Sequence, residues 1–193
     1  MRALLSHIPF TLAFVGVLMK KIVLIFGLIA GAILSAMMLV NVSLIDQIGF
    51  DKGEIIGYTT MVVAFLMIYF GVRTYRDNHA GGTIRFGRAF GIGLLITLVA
   101  STCYVGTWQV VYHTLAPDFG DKYGAYVIEK ARKSGATEAQ LAVQKKEMQE
   151  FIEMYKNPLV NVALTYLEPL PVGLLFSLVS AGLLSRRRKD AAS

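Results

Sequence analysis

Four apolar runs, three of them uncharged and each long enough to cross a bilayer, constrain this chain more than any other feature. A helix needs roughly 20 mostly apolar residues to traverse ~30 Å of hydrocarbon. No charged side chain occurs from Ile22 to Ile45, from Ile55 to Val72, or from Ala89 to His113. The fourth run, Leu159 to Ser185, is interrupted only by Glu168. In lipid the backbone must satisfy its polar groups within the segment, so these runs predict helices. The alternation expected of outer-membrane barrel strands is missing. The predicted fold class is an all-α membrane protein, a four-transmembrane-helix bundle with spans at about 22–45, 55–72, 89–113 and 159–185.

Composition agrees. Of 193 residues, 55% are hydrophobic and 17% charged, against about 25% charged in an ordinary soluble domain. The single cysteine, Cys103, rules out an intramolecular disulfide. With His7, His79 and His113 scattered, it also argues against a zinc site.

Charge placement sets an expected orientation. Lys20 and Lys21 precede the first span, Arg73, Arg76, Arg85 and Arg88 lie between the second and third, and Arg186, Arg187, Arg188 and Lys189 follow the fourth. The first connection carries Asp46, Asp51 and Glu54 with only Lys52, and segment 114–158 has seven bases balanced by seven acids. Dense basic clusters beside membrane ends mark the cytoplasmic side. Both termini are therefore expected inside, with 186–193 a basic cytoplasmic tail. Trp108, Tyr112, Tyr69, Phe70 and Tyr75 fall at span ends, where amphipathic rings favour the interface.

Residues 1–18 are apolar but short and contain Ser6, His7 and Pro9. We expect them to be an extension outside the membrane domain of 19–185, with Met19-Lys20-Lys21 as the natural start; a signal-peptide core is the other reading.

Small residues four apart let helix backbones approach closely in lipid. Gly27, Gly31 and Ser35 form such a ridge on the first span, Gly93, Thr97 and Ser101 on the third, and Gly173, Ser177 and Ala181 on the fourth. Gly27, Gly31, Gly93 and Gly173 are thus expected at helix contacts.

The 114–158 segment predicts an extracytoplasmic helical hairpin between helices 3 and 4. Its first helix starts after Pro117-Asp118 and ends near Ser134-Gly135, where glycine suits a helix C-terminus. Thr137-Glu138-Ala139-Gln140 reads as a capping box for the second, which stops before Asn157-Pro158. Leu141, Met148, Ile152 and Tyr155 form its apolar face. That stripe either packs on the protein itself or meets headgroups or a partner.

Glu168 stands about nine residues into the fourth span, ~14 Å deep. A carboxyl there is costly and marks a site by default. Pro169 and Pro171 remove two backbone donors and should bend the helix at this point. Ser35, Thr60, Ser101 and Tyr104 lie at comparable depth and complete the candidate intramembrane polar site. Either Glu168 carries a proton, ion or cationic group, or it only ties helix four to its neighbours.

Other motifs carry less. Gly81-Gly82-Thr83-Ile84-Arg85-Phe86-Gly87 lacks the Gly-Lys-Ser/Thr ending of a phosphate loop and reads as a turn whose arginines meet anionic headgroups. Asn41-Val42-Ser43 matches a glycosylation sequon close to the membrane. No catalytic residue set, metal site or cofactor site is visible, and the basic clusters flank spans, so nucleic-acid binding is not needed to explain them.

Several stretches taken together resemble the family of small bacterial membrane proteins known as domain of unknown function 4199. They are Ile56-Gly57-Tyr58-Thr59, Phe70-Gly71, Tyr75-Arg76-Asp77-Asn78, Gly81-Gly82 and Phe86-Gly87, followed by Ala116-Pro117-Asp118-Phe119, Tyr155-Lys156-Asn157-Pro158, Leu167-Glu168-Pro169 and Pro171-Val172-Gly173. The pattern covers nearly all of the chain after residue 18. It implies a bacterial, chiefly Bacteroidetes, inner-membrane location and supplies no activity. The expectation is a non-enzymatic structural or interaction role in the envelope, with the lipid bilayer, a further copy of the chain or an envelope protein as partners. The alternative is a small-solute or ion transporter using Glu168.

Overall fold

The computed structural model describes residues 8–185, with side chains from residue 17 onward. The basic tail 186–193 and residues 1–7 of the N-terminal extension lie outside the described residues. Seven helices follow in order: α1 Ile8–Ile48, α2 Phe50–His79, α3 Phe86–Thr114, α4 Phe119–Lys133, α5 Glu138–Tyr155, α6 Pro158–Tyr166 and α7 Pro169–Leu184. No strand occurs among the described residues.

Four helical segments are long and apolar enough to cross a membrane: Val17–Ile48, Phe50–His79, Phe86–Thr114 and Pro158–Leu184. Their outward faces carry exposed large apolar side chains, among them Leu24, Leu28, Val62, Val63, Leu98, Leu175 and Val179. Such faces spread around a bundle are stable in lipid, not in water. The chain is a membrane protein.

The helices outrun the apolar runs. Asp46, Asp51 and Glu54, expected in a connecting loop, instead belong to α1 and α2, and the connection shrinks to Gly49. Its φ of 78° lies in the left-handed region that glycine adopts without strain. Helices of 29 and 30 residues would span about 45 Å, so charged end turns can stand clear of the hydrocarbon.

The spanning helices form a ring. α1 packs between α2 and α3, α7 packs between α3 and α2, and α2 also meets α3 across the centre. Phe65, Ile68, Val72, Ile92, Ile96, Ala30 and Ala100 are all but fully buried there. Close approach occurs at glycines. A Cβ added at Gly27 would stand 2.7 Å from Val99, and one at Gly31 2.6 Å from Cys103, along the α1–α3 seam. Gly93 faces Ser177 and Ile68, and Gly173 faces Thr97, along the α3–α7 seam. In that seam Ser177 Oγ donates to Gly173 O at 2.7 Å, and Thr97 Oγ1 lies 3.3 Å from Ser177 Oγ.

α4 and α5 cover one end of the ring. α4 ends in the positive-φ residue Gly135 (φ 88°), with Ala136 N donating to Ala131 O at 3.1 Å. α5 begins with the capping box: Gln140 N donates to Thr137 Oγ1 at 3.3 Å, and Thr137 N donates to Gln140 Oε1 at 2.8 Å. The two helices meet where Gly124 leaves room for Met148 and Ile152.

The last span is two helices. α6 opens on Pro158 with Leu159 N donating to Asn157 Oδ1 at 3.0 Å, and it stops at Tyr166. α7 starts at Pro169. Without N–H groups on Pro169 and Pro171, the helical ladder breaks at Leu167-Glu168.

Candidate functional site

Helical periodicity turns one face of each of α1 to α5 toward a common space. α1 contributes Leu34, Met37, Met38, Asn41, Val42 and Ile45, at spacings of three and four. α2 contributes Phe50, Gly53, Glu54, Gly57, Tyr58, Thr60 and Met61, and α3 contributes Tyr104, Trp108 and Tyr112. The covering helices add Phe119, Gly120, Tyr123 and Tyr126 from α4, with Met148, Phe151, Ile152 and Tyr155 from α5. Thr165 and Glu168 complete the lining from the α6–α7 break. The volume is about 430 Å³, within the usual range for small-molecule sites. Along α1 the crevice extends from Leu34 to Ile45, roughly 16 Å at 1.5 Å per residue.

Glu168 stands at the deep end. Tyr104 Oη donates to Glu168 Oε2 at 2.6 Å, tying α3 to the helix break. Glu168 remains exposed because it faces the crevice, not packed side chains. Beyond it the core is closed by Ala64, Phe65, Ile96 and Ala100, all fully buried. Glu54, Tyr58 and Phe151 line the crevice while staying exposed, so it opens on their side.

Of the residues expected at an intramembrane polar site, Tyr104 and Thr60 share the crevice with Glu168. Thr60 Oγ1 is occupied in donating to Ile56 O at 2.8 Å. Ser35 and Ser101 are not part of the lining. Ser35 accepts from Thr107 Oγ1 at 2.8 Å in the α1–α3 seam, and Ser101 is fully buried with its hydroxyl unpartnered. The α5 stripe points inward: Leu141 is buried, Met148 and Ile152 pack on α4 and line the crevice, and Tyr155 accepts from Trp108 Nε1 at 2.8 Å.

Side chains of α4 bridge to the α1–α2 turn. Phe50 packs against Phe119, Tyr123 and Tyr126 with centroids 5.1–5.6 Å apart, and Phe119 stands edge-on to Trp108 at 4.9 Å. Lys122 pairs with Asp46 at 3.1 Å and Lys130 with Asp51 at 2.6 Å, and Tyr126 Oη donates to Asp51 at 2.6 Å. Asp51 and then Tyr126 hold the Lys130 ammonium well above the ordinary lysine range, and Asp46 and then Asp118 raise Lys122.

Sequence reading missed Asn41, Glu54 and a polar chain beside the crevice. Asn41 Nδ2 donates to Gly53 O at 2.7 Å, while its buried Oδ1 has no partner. Gln109 Nε2 donates to Asn161 Oδ1 at 2.7 Å, and Thr165 Oγ1, 3.3 Å from Tyr155 Oη, donates to Asn161 O. An asparagine on the apolar run of α1 was the available signal; its sequon reading obscured it.

Over residues 25–186 the chain matches the family described as protein of unknown function (DUF4199). No curated protein and no solved structure matches it.

Proposed function

The chain belongs to the DUF4199 family of proteins of unknown function, and from that premise we propose that it is a multi-pass membrane protein that binds a small solute in the crevice ending on Glu168. The observation that carries this reading is the crevice itself, about 430 Å³ of space lined from α1 to α6 and floored by a carboxyl at the α6–α7 break. A packed membrane bundle has no structural need for such a space. Solute enters from the α4–α5 end, since the core beyond Glu168 is closed. Binding comes first; release to the other side would require the α2–α3–α7 core to part.

The inward turn of the α5 stripe supports this reading over a partner-docking role, because Met148, Ile152 and Tyr155 are used within the chain. The basic clusters at Lys20-Lys21 and Arg73 to Arg88 support an orientation with both termini in the cytoplasm and α4–α5 outside. On that orientation the protein resides in a bacterial inner membrane and meets its solute on the outer side. The bilayer is its constant partner, and the exposed apolar faces leave room for self-association within it.

Native mass spectrometry from mild detergent tests the reading with Gly57→Leu. A Cβ at Gly57 meets nothing closer than Asn41 Nδ2 at 4.0 Å, so a leucine there starts in open space and extends into the crevice that Gly57 lines. Wild type should carry or take up a small molecule that the folded variant excludes. Equal occupancy in both proteins, or none in either after incubation with a membrane extract, would overturn the proposal.

A further inference from the structure

We propose that the solute is a small organic cation, an amine or quaternary ammonium carried on an apolar body. This rests on the solute-binding reading above and adds the chemistry of the ligand.

The charge of the crevice comes first. Its lining holds two carboxyl side chains, Glu54 and Glu168, and no lysine or arginine. Glu168 enters no ion pair among the described residues; the Tyr104 hydrogen bond engages Oε2 alone. The lysines that overhang the space, Lys122 and Lys130, are committed to Asp46 and Asp51. Asn41 also lines the space, and its buried Oδ1 has no donor within the protein. Buried acceptors are normally satisfied by protein, water or ligand. An anion would meet two carboxyl groups here and no cationic side chain in the lining.

The walls decide between an inorganic and an organic cation. Ten aromatic residues line the crevice, with Tyr58, Tyr104, Trp108 and Tyr155 among them. Aromatic faces attract alkylammonium groups and accept apolar bodies. A bare metal ion instead needs several oxygen or nitrogen ligands at short range. No group of three or more His, Cys, Asp or Glu side chains suited to a metal occurs among the described residues. A length of roughly 16 Å also suits a molecule of several rings or chain carbons, with its cationic end at Glu168.

Trp108 is the single tryptophan of the chain and lines the crevice, so its fluorescence reports occupancy. The test uses the full chain in detergent with two probes of nearly the same shape. These are benzyltrimethylammonium and neopentylbenzene, which replaces the charged nitrogen by carbon. Benzyltrimethylammonium should change Trp108 emission saturably and bind at least about tenfold more tightly than neopentylbenzene, as desolvated charge pairing predicts. Glu168→Gln should weaken the cation about tenfold and leave the hydrocarbon unchanged. If both probes bind equally in wild type, the organic-cation assignment falls while solute binding stands. If neither perturbs Trp108, both fall. Should Glu168→Gln fail to fold, the comparison of the two probes on wild type decides alone.

Discussion

Tyr104 Oη donates to Glu168 Oε2 at 2.6 Å across 64 residues of sequence, and this bond fixes the break between α6 and α7 against α3. Its worth is measurable by a double-mutant cycle of Tyr104→Phe and Glu168→Gln. Each single variant should remain folded, and the coupling energy should be about 1 kcal/mol, as for a hydrogen bond that faces partly accessible space. Reversible unfolding in mixed micelles provides the measurement. Strictly additive variants would show that the two side chains do not meet.

The seams of the bundle make a steric prediction. A Cβ at Gly93 would stand 2.9 Å from Ser177 Oγ and 3.0 Å from Ile68 Cγ2, whereas one at Gly106 meets nothing within 4 Å. Gly93→Ala should therefore cost roughly 1–3 kcal/mol, because the α3–α7 seam must open to admit it. Gly106→Ala should be neutral or slightly stabilising. Thermal unfolding of the two variants in one detergent gives the comparison, and equal melting temperatures would contradict the packing described.

The cover formed by α4 should respond to alkali and salt. Lys122 and Lys130 have raised folded-state values, so their ties to Asp46 and Asp51 are fully present below the ordinary lysine value of 10.5. They are lost only as pH rises past the raised values. Acrylamide quenching of Trp108, which packs edge-on to Phe119 of α4, should stay flat up to the ordinary lysine value of 10.5 and increase only above it. The Lys122→Ala/Lys130→Ala protein should be quenched more strongly already at neutral pH. Because these pairs are exposed, high salt should move wild type in the same direction.

Orientation is open to cysteine labelling. Cys103 is half-buried against Gly31 in the α1–α3 seam and should resist maleimides until the protein is unfolded. In a Cys103→Ser background, Lys133→Cys at the end of α4 should label from outside intact cells. Gly82→Cys in the α2–α3 turn should label only after the membrane is opened. The reverse pattern would invert the proposed topology.

Much of the fold was legible before any coordinates. Apolar length marked the four spans, because lipid leaves the backbone no partner outside its own helix. Pro169 and Pro171 marked the break in the last span, since each removes one donor from the ladder. Thr137 and Gln140 marked the start of α5. Part of the site was legible too: an acid in an apolar run, with Tyr104 and Thr60 at similar depth. What could not be read was rotation about each helix axis. Ser35 and Ser101 lie at that depth as well, yet they face seams and not the crevice.

By itself, then, the sequence determined a bundle with four membrane-length helices, the position of the one acid in its last apolar run and the helical character of segment 114–158. Each is a local consequence of hydropathy, chain stiffness or capping. The tertiary structure alone decided that Glu168 faces a space, that Tyr104 reaches it, and that the apolar stripe of α5 turns inward to roof that space beside the aromatic side of α4. A helix presents all its faces to the solvent of the unfolded chain. Only packing against the other helices selects which face each one keeps, and so whether a carboxyl in an apolar run is sealed in a core or left at the end of a crevice.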